Sequence, residues 1–328
     1  MKRTITLLLA CCLLLCGCGS PAPAPEPVQP LIRVGFSQVG SESDWRIANT
    51  ESMTRSLSEK NGFELLFDNA KQKQENQLLA IRNFIQQGVD YIVVAPISEF
   101  GWDNVLMEAK EAGIPVIIMD RQIQVEDESL YTCWVGSDFY AEGETAVSWL
   151  TKTLQLQHRG DEQIDILHIQ GTDDSTAQLM RTKALDDAVA AHKNWNIVDN
   201  LKGDFTEAKS YEVVRDFLET GQSMDVIYCE NDNMTFGAIR ALEEAGITCG
   251  SQSGVIIISF DAVRTALEYC MSGKINLCVE CNPLHGSRVA EIIRQLEEGR
   301  ELPKKNYLEE TSFSAGTLTP EMIKSRPY

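Results

Sequence analysis

The 328-residue sequence predicts an α/β protein of two Rossmann-like lobes, each a parallel sheet with helices on both faces, and a ligand cleft between them. Two observations carry this. From residue 31 onward, short apolar runs alternate with amphipathic stretches, the order expected of βαβ units. The same rhythm restarts near residue 160, after Leu156-Gln157-His158-Arg159-Gly160-Asp161. Ten candidate strands in strict alternation are too many for one such sheet, so two similar lobes are the natural arrangement.

The first residues stand apart from this pattern. Lys2 and Arg3 precede an apolar run over 4–15, a length that suits a signal peptide and is too short to span a bilayer. Leu15-Cys16-Gly17-Cys18 then resembles the lipobox of bacterial lipoproteins, so residues 1–17 read as a leader and Cys18 as the lipidation site. Residues 18–30 form a linker in which Pro21, Pro23, Pro25, Pro27 and Pro30 interleave with other residues, a stiff extended spacer. The body that follows has the apolar content of a globular chain, 43% overall.

In order along the body, strands are predicted over 32–36, 63–67, 91–95, 116–119 and 131–135, then 164–169, 196–200, 226–229, 255–259 and 276–280. Helices are predicted over 76–87, 103–112, 142–153, 177–190, 208–219 and 236–245. The strands are short, largely apolar runs, and each helix repeats its apolar residues every three or four positions.

Charge and cysteines narrow the function. The chain carries −19, and removing a leader with two positive charges and no negative ones takes it to −21. Such a surface repels phosphate backbones, so no nucleic-acid partner is expected. Of ten cysteines, four lie in the leader segment. Cys133 and Cys229 sit in apolar strand-like runs, where cysteine acts as a small core hydrophobe. Cys278 and Cys281 are spaced like half a zinc site, but no second pair accompanies them and i, i+3 on a strand point to opposite faces. No metal and no cofactor are expected. G-x-G-x-x-G is missing from the first strand–helix turn, and G-x-x-x-x-G-K-[ST] and G-x-S-x-G are absent from the chain. His158, His168, His192 and His285 match no triad or metal spacing, so no enzymatic activity is expected.

Ligands of open parallel sheets meet the loops at the carboxyl ends of strands. Those loops hold Trp45-Arg46, Asp120-Arg121, Arg181 beyond Gln170-Gly171-Thr172, Glu230-Asn231-Asp232, Asp261, and Glu280-Cys281-Asn282. Carboxylates accept from hydroxyls, guanidinium forks donate, and an indole covers an apolar ring face, a set suited to a neutral polyhydroxylated ligand. Each has a plainer reading: Asp120 and Asp261 as helix caps, the arginines as surface residues, Trp45 as core. Their concentration at strand ends in both halves favours a cleft.

From Val34-Gly35-Phe36-Ser37-Gln38-Val39-Gly40-Ser41-Glu42-Ser43 and Trp45-Arg46, the chain resembles the galactofuranose-binding proteins of bacterial ABC sugar importers. The resemblance continues through Lys73-Gln74-Glu75-Asn76-Gln77, Ala95-Pro96, Gly101-Trp102, Gly203-Asp204-Phe205-Thr206 and Asn231-Asp232. That family belongs to the type I periplasmic binding proteins, whose lobes are joined by a hinge of three crossovers. The resemblance implies ligand contacts from Trp45, Arg46, Asp120, Arg121, Arg181, Asn231, Asp261 and Glu280. It implies crossovers near 136–138, 280–283 and 308–310, with a helix over 285–299 returning to the first lobe. The lobes are then 31–137 with 282–308, and 138–281 with 309–328. A monosaccharide ligand is implied, a furanose such as galactofuranose, captured by a lipid-anchored monomer and delivered to an ABC permease. The alternative partner is the ectodomain of a membrane sensor kinase or chemoreceptor. Three departures stand out: Asp44 where the family has Gly, Gly136-Ser137-Asp138 where it has Thr-Ala-Asp, and the residues between Glu280 and Pro283.

Overall fold

Runs of Val and Ile at strand length are stable here because helices cover both faces of each sheet. The computed structural model describes residues 30–250 and 254–328; the expected leader and Cys18 lie outside the described residues. The first sheet contains β1 (Ile32–Gln38), β2 (Phe63–Asn69), β3 (Tyr91–Val94), β4 (Val116–Met119) and β5 (Cys133–Gly136). The second contains β6 (Ile164–Gln170), β7 (Trp195–Lys202), β8 (Val226–Cys229), β9 (Ile256–Asp261) and β10 (Leu277–Glu280). Two short late strands, β11 (Lys305–Tyr307) and β12 (Ser312–Phe313), complete them. The strand orders are β11-β5-β4-β3-β1-β2 and β12-β10-β9-β8-β6-β7. Pairings are parallel except β10 with β12. Both sheets therefore reverse direction beside their own first strand, which opens a crevice at the carboxyl ends there.

Successive residues of one strand feed opposite cores, as the two-residue period requires. Val93, Ile117 and Met119 pack with Met53 of α1 (Asp44–Ser56) and with Val289, Ile292 and Ile293 of α9 (His285–Glu297). Their neighbours Val94, Ile118 and Trp134 pack with Ile81 and Phe84 of α2 (Gln74–Gln87) and Leu106 of α3 (Asp103–Glu111). In the second sheet, Ile227 and Ile257 face α6 (Glu207–Glu219) and α7 (Asp232–Glu244) through Val214, Phe217 and Leu242. Tyr228, Ile256 and Ile258 face α4 (Phe139–Leu156) and α5 (Thr176–Ala191) through Leu150, Leu154 and Leu185. Two shorter helices, α8 (Arg264–Met271) and α10 (Pro320–Ser325), lie against each other.

The chain passes between the sheets three times: from β5 into α4, from β10 into α9, and from β11 to β12. One carboxylate oxygen ties these passages together. Glu310 Oε1 accepts from Ser137 Oγ at 2.5 Å and from the Asn282 amide at 2.7 Å. Ser137 thus spends its hydroxyl within the hinge. The six cysteines from Cys133 to Cys281 are free thiols.

The return through α9 depends on close packing against α1. A Cβ on Gly286 would run into the Ser52 carbonyl, a backbone atom that cannot yield cheaply. Beside it, Asn49 Nδ2 donates to Pro283 O at 2.9 Å and lies 2.7 Å from His285 Nδ1. An amide NH₂ can only donate, so this imidazole nitrogen accepts and the ring is neutral. Burial lowers the His285 pKa from 6.5 to about 4, and the charge of Asp120 only partly opposes this. The unfolded chain therefore takes up a proton below pH 6.5 that the folded chain refuses until about pH 4. This contribution to stability is complete at neutral pH and is lost as the pH falls through that window. In urea denaturation, the stability difference between wild type and His285→Gln should shrink by about 3 kcal/mol from pH 7 to pH 4. A difference that stays constant with pH would contradict this assignment.

Candidate functional site

The carboxyl ends of both sheets meet at one small cavity lined by both lobes. It gathers seven of the eight residues expected to contact a ligand. Trp45 and Arg46 come from the first turn of α1, Asp120 and Arg121 from the loop after β4, and Arg181 from α5. Asn231 precedes α7 and Asp261 ends β9. Ser43 opens α1 by accepting the Arg46 amide, which fixes the turn that presents Trp45 and Arg46.

Each arginine sits in a different electrostatic setting. Arg46 is held on three sides, by Glu42 at 3.0 Å, Asp120 at 2.7 Å and Gln38 Oε1 at 3.1 Å. Burial alone would lower its pKa, but the Asp120 and Glu42 charges more than reverse this. Arg181 pairs with Glu142 at 2.7 Å, donates to Glu230 O at 2.6 Å and approaches Asp261 at 3.9 Å. Arg121 is buried, donates to Ile97 O at 2.8 Å and stands 5.4 Å from the centre of the Phe205 ring. Among the described residues it pairs with no carboxylate within 4.0 Å. Burial and the neighbouring Arg46 push its pKa down to about 10, so it remains a cation at neutral pH. Its remaining N–H groups are donors available to a ligand.

The two cleft aspartates are held by backbone geometry. Asp120 has φ +64° and Asp261 φ +104°, followed by Ala262 at +59°. Residues with side chains visit this left-handed region at a cost of about 1–3 kcal/mol each, and such sites cluster where ligands bind. Asp120 directly follows, and Asp261 ends, the fourth strand in chain order of its sheet, so the two lobes present carboxylates at corresponding places. Neither caps a helix: Val263 precedes α8, and its amide goes to Asp232 Oδ2 at 2.7 Å. Burial drives the Asp261 pKa well above the usual carboxylate range, against the pull of Arg181. Burial also acts on Asp120, but there Arg46 and Arg121 prevail and lower the pKa.

Two expectations need adjustment. Glu280 does not reach the cavity; it turns to the opposite side and receives Arg326 Nη1 at 2.7 Å and Tyr328 OH at 2.8 Å. Side chains alternate along a strand, so the next residue, Cys281, faces the cleft instead. Asn231 lines the cleft but also caps α7, its Oδ1 accepting the Met234 amide at 2.9 Å. Trp45 lines the cavity with its indole N–H donated to Cys281 O at 2.7 Å, which ties the cleft to the second crossover. Asp44 is exposed, and its backbone amide donates to Asn233 Oδ1 across the cleft mouth at 3.0 Å.

Glu42, Phe139, Phe205 and Cys281 also line the cavity. Phe205 leaves a readable trace, because its ring lies where a Cβ on Gly171 would go, just after β6. The lobes meet beside the cavity as well. Thr176 Oγ1 donates to Glu99 Oε1 at 2.8 Å, and the Gln122 amide donates to Thr176 Oγ1 at 2.9 Å. Among the described residues, the donor set that could hold a metal is Glu142, Cys281 and Glu310, within 4.8 Å of one another. Arg181 and the hinge hydrogen bonds already engage both carboxylates.

Comparison with known proteins places this geometry in a family. The periplasmic binding protein domain model matches residues 34–301. The galactofuranose-binding protein YtfQ of Escherichia coli K12 is 36% identical over 299 residues, covering 90% of this chain and 92% of that protein. Among solved structures, the binding component of the arabinose ABC transporter from Shewanella sp. ANA-3, bound to α- and β-L-arabinofuranose, has a TM-score of 0.83 at 37% identity. That match covers 90% of this chain and 95% of that one. A Mycobacterium smegmatis protein in complex with β-D-fucofuranose has a TM-score of 0.83 at 35% identity, covering 90% and 93%. With its two parallel-sheet lobes, three interlobe passages and a match across most of its length, the chain belongs to the periplasmic binding proteins.

Proposed function

We propose that the chain captures a monosaccharide in furanose form outside the cytoplasm and hands it to an ABC permease. In this reading it is a monomer anchored to the membrane by a lipid on Cys18. Its lobes are residues 31–137 with 282–308 and residues 138–281 with 309–328. The observation that carries the reading is that Arg121 and Asp261, the least engaged charged groups of the cleft, line the same cavity, one from each sheet. A guanidinium that donates and a carboxyl that exchanges hydrogen bonds suit a ring bearing several hydroxyls. Three relatives whose names or bound ligands specify furanoses support the ring form.

Capture follows from closure. The interlobe bonds of Thr176, Glu99 and Gln122 require the lobes to be together, and a sugar touching both aspartate loops adds contacts in that state alone. A ligand shifts such an equilibrium only by its differential affinity for the closed form. Micromolar binding corresponds to about 8 kcal/mol, within reach of a few charge-assisted hydrogen bonds and one apolar ring face.

Calorimetry of residues 31–328 against L-arabinose, D-galactose, D-ribose and a galactofuranoside should give binding at micromolar or tighter affinity for at least one furanose-forming sugar. Absence of heat with all of them would overturn the sugar reading. Arg121→Ala should weaken the best ligand at least about tenfold, the worth of a charged hydrogen bond, with an unchanged far-UV spectrum. Unaltered affinity would place the ligand elsewhere. Cys18→Ala in the full chain should move the protein from the membrane to the soluble fraction of its host, and retention on the membrane would refute anchoring at that residue.

A further inference from the structure

We propose that Arg326-Pro327-Tyr328 is a clamp that positions Asp261 for the ligand, an inference that rests on the sugar-binding reading above. Asp261 and Ala262 both occupy the left-handed region, and such a turn persists only where its surroundings over-determine it. The Asp261 carboxylate does little to hold itself. Among the described residues its ion-pair neighbour is Arg181, at 3.9 Å, beyond hydrogen-bond length. Its aim is therefore set through the backbone.

Besides the Cys281 amide on Asp261 O and the Val263 amide on Asp232 Oδ2, the turn is restrained from the far end of the sequence. Arg326 Nε donates to Ala262 O at 2.9 Å, directly on the strained turn. The Arg264 amide donates to Tyr328 O at 2.8 Å, and the Arg264 guanidinium donates to Arg326 O. Arg326 is fixed in turn by Glu280 at 2.7 Å and by the Tyr328 ring, whose centre lies 4.1 Å from its guanidinium carbon. Glu280 Oε1 also accepts from Tyr328 OH at 2.8 Å, and Oε2 accepts the Thr311 amide at 3.0 Å. The Arg326 and Glu280 side chains are only 11% and 10% exposed, so solvent does little to screen the pair. Glu280 is thus a positioning residue, acting on the ligand site through Arg326 and Ala262 from behind the sheet.

The experiment measures binding of L-arabinose and D-galactose to wild type, Arg326→Ala, Asp261→Asn and the double variant. It is joined by hydrogen exchange over residues 258–266 in sugar-free protein. Arg326→Ala should weaken binding about tenfold, with no further loss when Asp261 is already Asn, because the clamp acts through that carboxylate. Exchange over 258–266 should quicken in Arg326→Ala but not in Arg240→Ala, whose guanidinium pairs with Glu207 on the surface. Unchanged affinity with unchanged exchange would overturn the clamp. Losses that add in the double variant would also overturn it, since they would mark a general structural role. If wild type binds neither sugar, the sugar reading fails while the exchange measurement alone decides whether the turn is clamped.

Discussion

Burying three guanidinium groups at the ends of two sheets sets the terms for everything around them. Each such ion loses hydration worth several kcal/mol, and this is recovered only with well-placed partners. Arg46 is met by Glu42 and Asp120, and Arg181 by Glu142 and a backbone carbonyl. These partners come from different elements, so the charge network also fixes how α1 sits against β4 and how α5 sits against α4. Arg121 departs from this pattern: a carbonyl and an aromatic face are what the chain supplies it. A buried cation with so little compensation gains most from a ligand oxygen. The two paired arginines are met by the chain's own carboxylates, and in the proposed reading the third is left for the ligand.

The parallel-sheet architecture was legible because its cause is local. Strands buried on both faces are apolar throughout, as β3, β4 and β8 are, and the ten predicted runs lie close to where the ten main strands form. Less legible was α1, whose inward face carries Arg46, Asn49 and Ser52 in place of an apolar stripe. Those residues serve the cleft and the α9 contact, so the helix reads as polar loop. Strands β11 and β12 are three and two residues long and exist through pairing with distant partners, which no local pattern records.

The site was legible in kind more than in register. Polar and charged residues at the ends of β1, β4, β8 and β9 converge because all parallel strands end on the same side of their sheet. At β10 the same logic identifies the loop but misses the face by one residue. Glu280 and Cys281 are adjacent, and strand alternation sends them in opposite directions. A carboxylate is the more conspicuous choice for a sugar contact, yet it binds Arg326, and the thiol takes the cleft position.

That one-residue distinction connects the ligand site to the hinge. Cys281 O accepts the Trp45 indole, Cys281 Sγ lies 3.4 Å from Ser137 Oγ, and Ser137 donates to the same Glu310 oxygen that receives Asn282. A short hydrogen-bonded path therefore runs from an aromatic wall of the cleft through all three interlobe passages. Reorientation of the second passage must alter the Trp45 contact, since the indole bonds to backbone that belongs to the hinge itself. The cleft wall and the interlobe passages are thus one hydrogen-bonded unit, so in the proposed capture reading any closure of the lobes would carry the cavity wall with it.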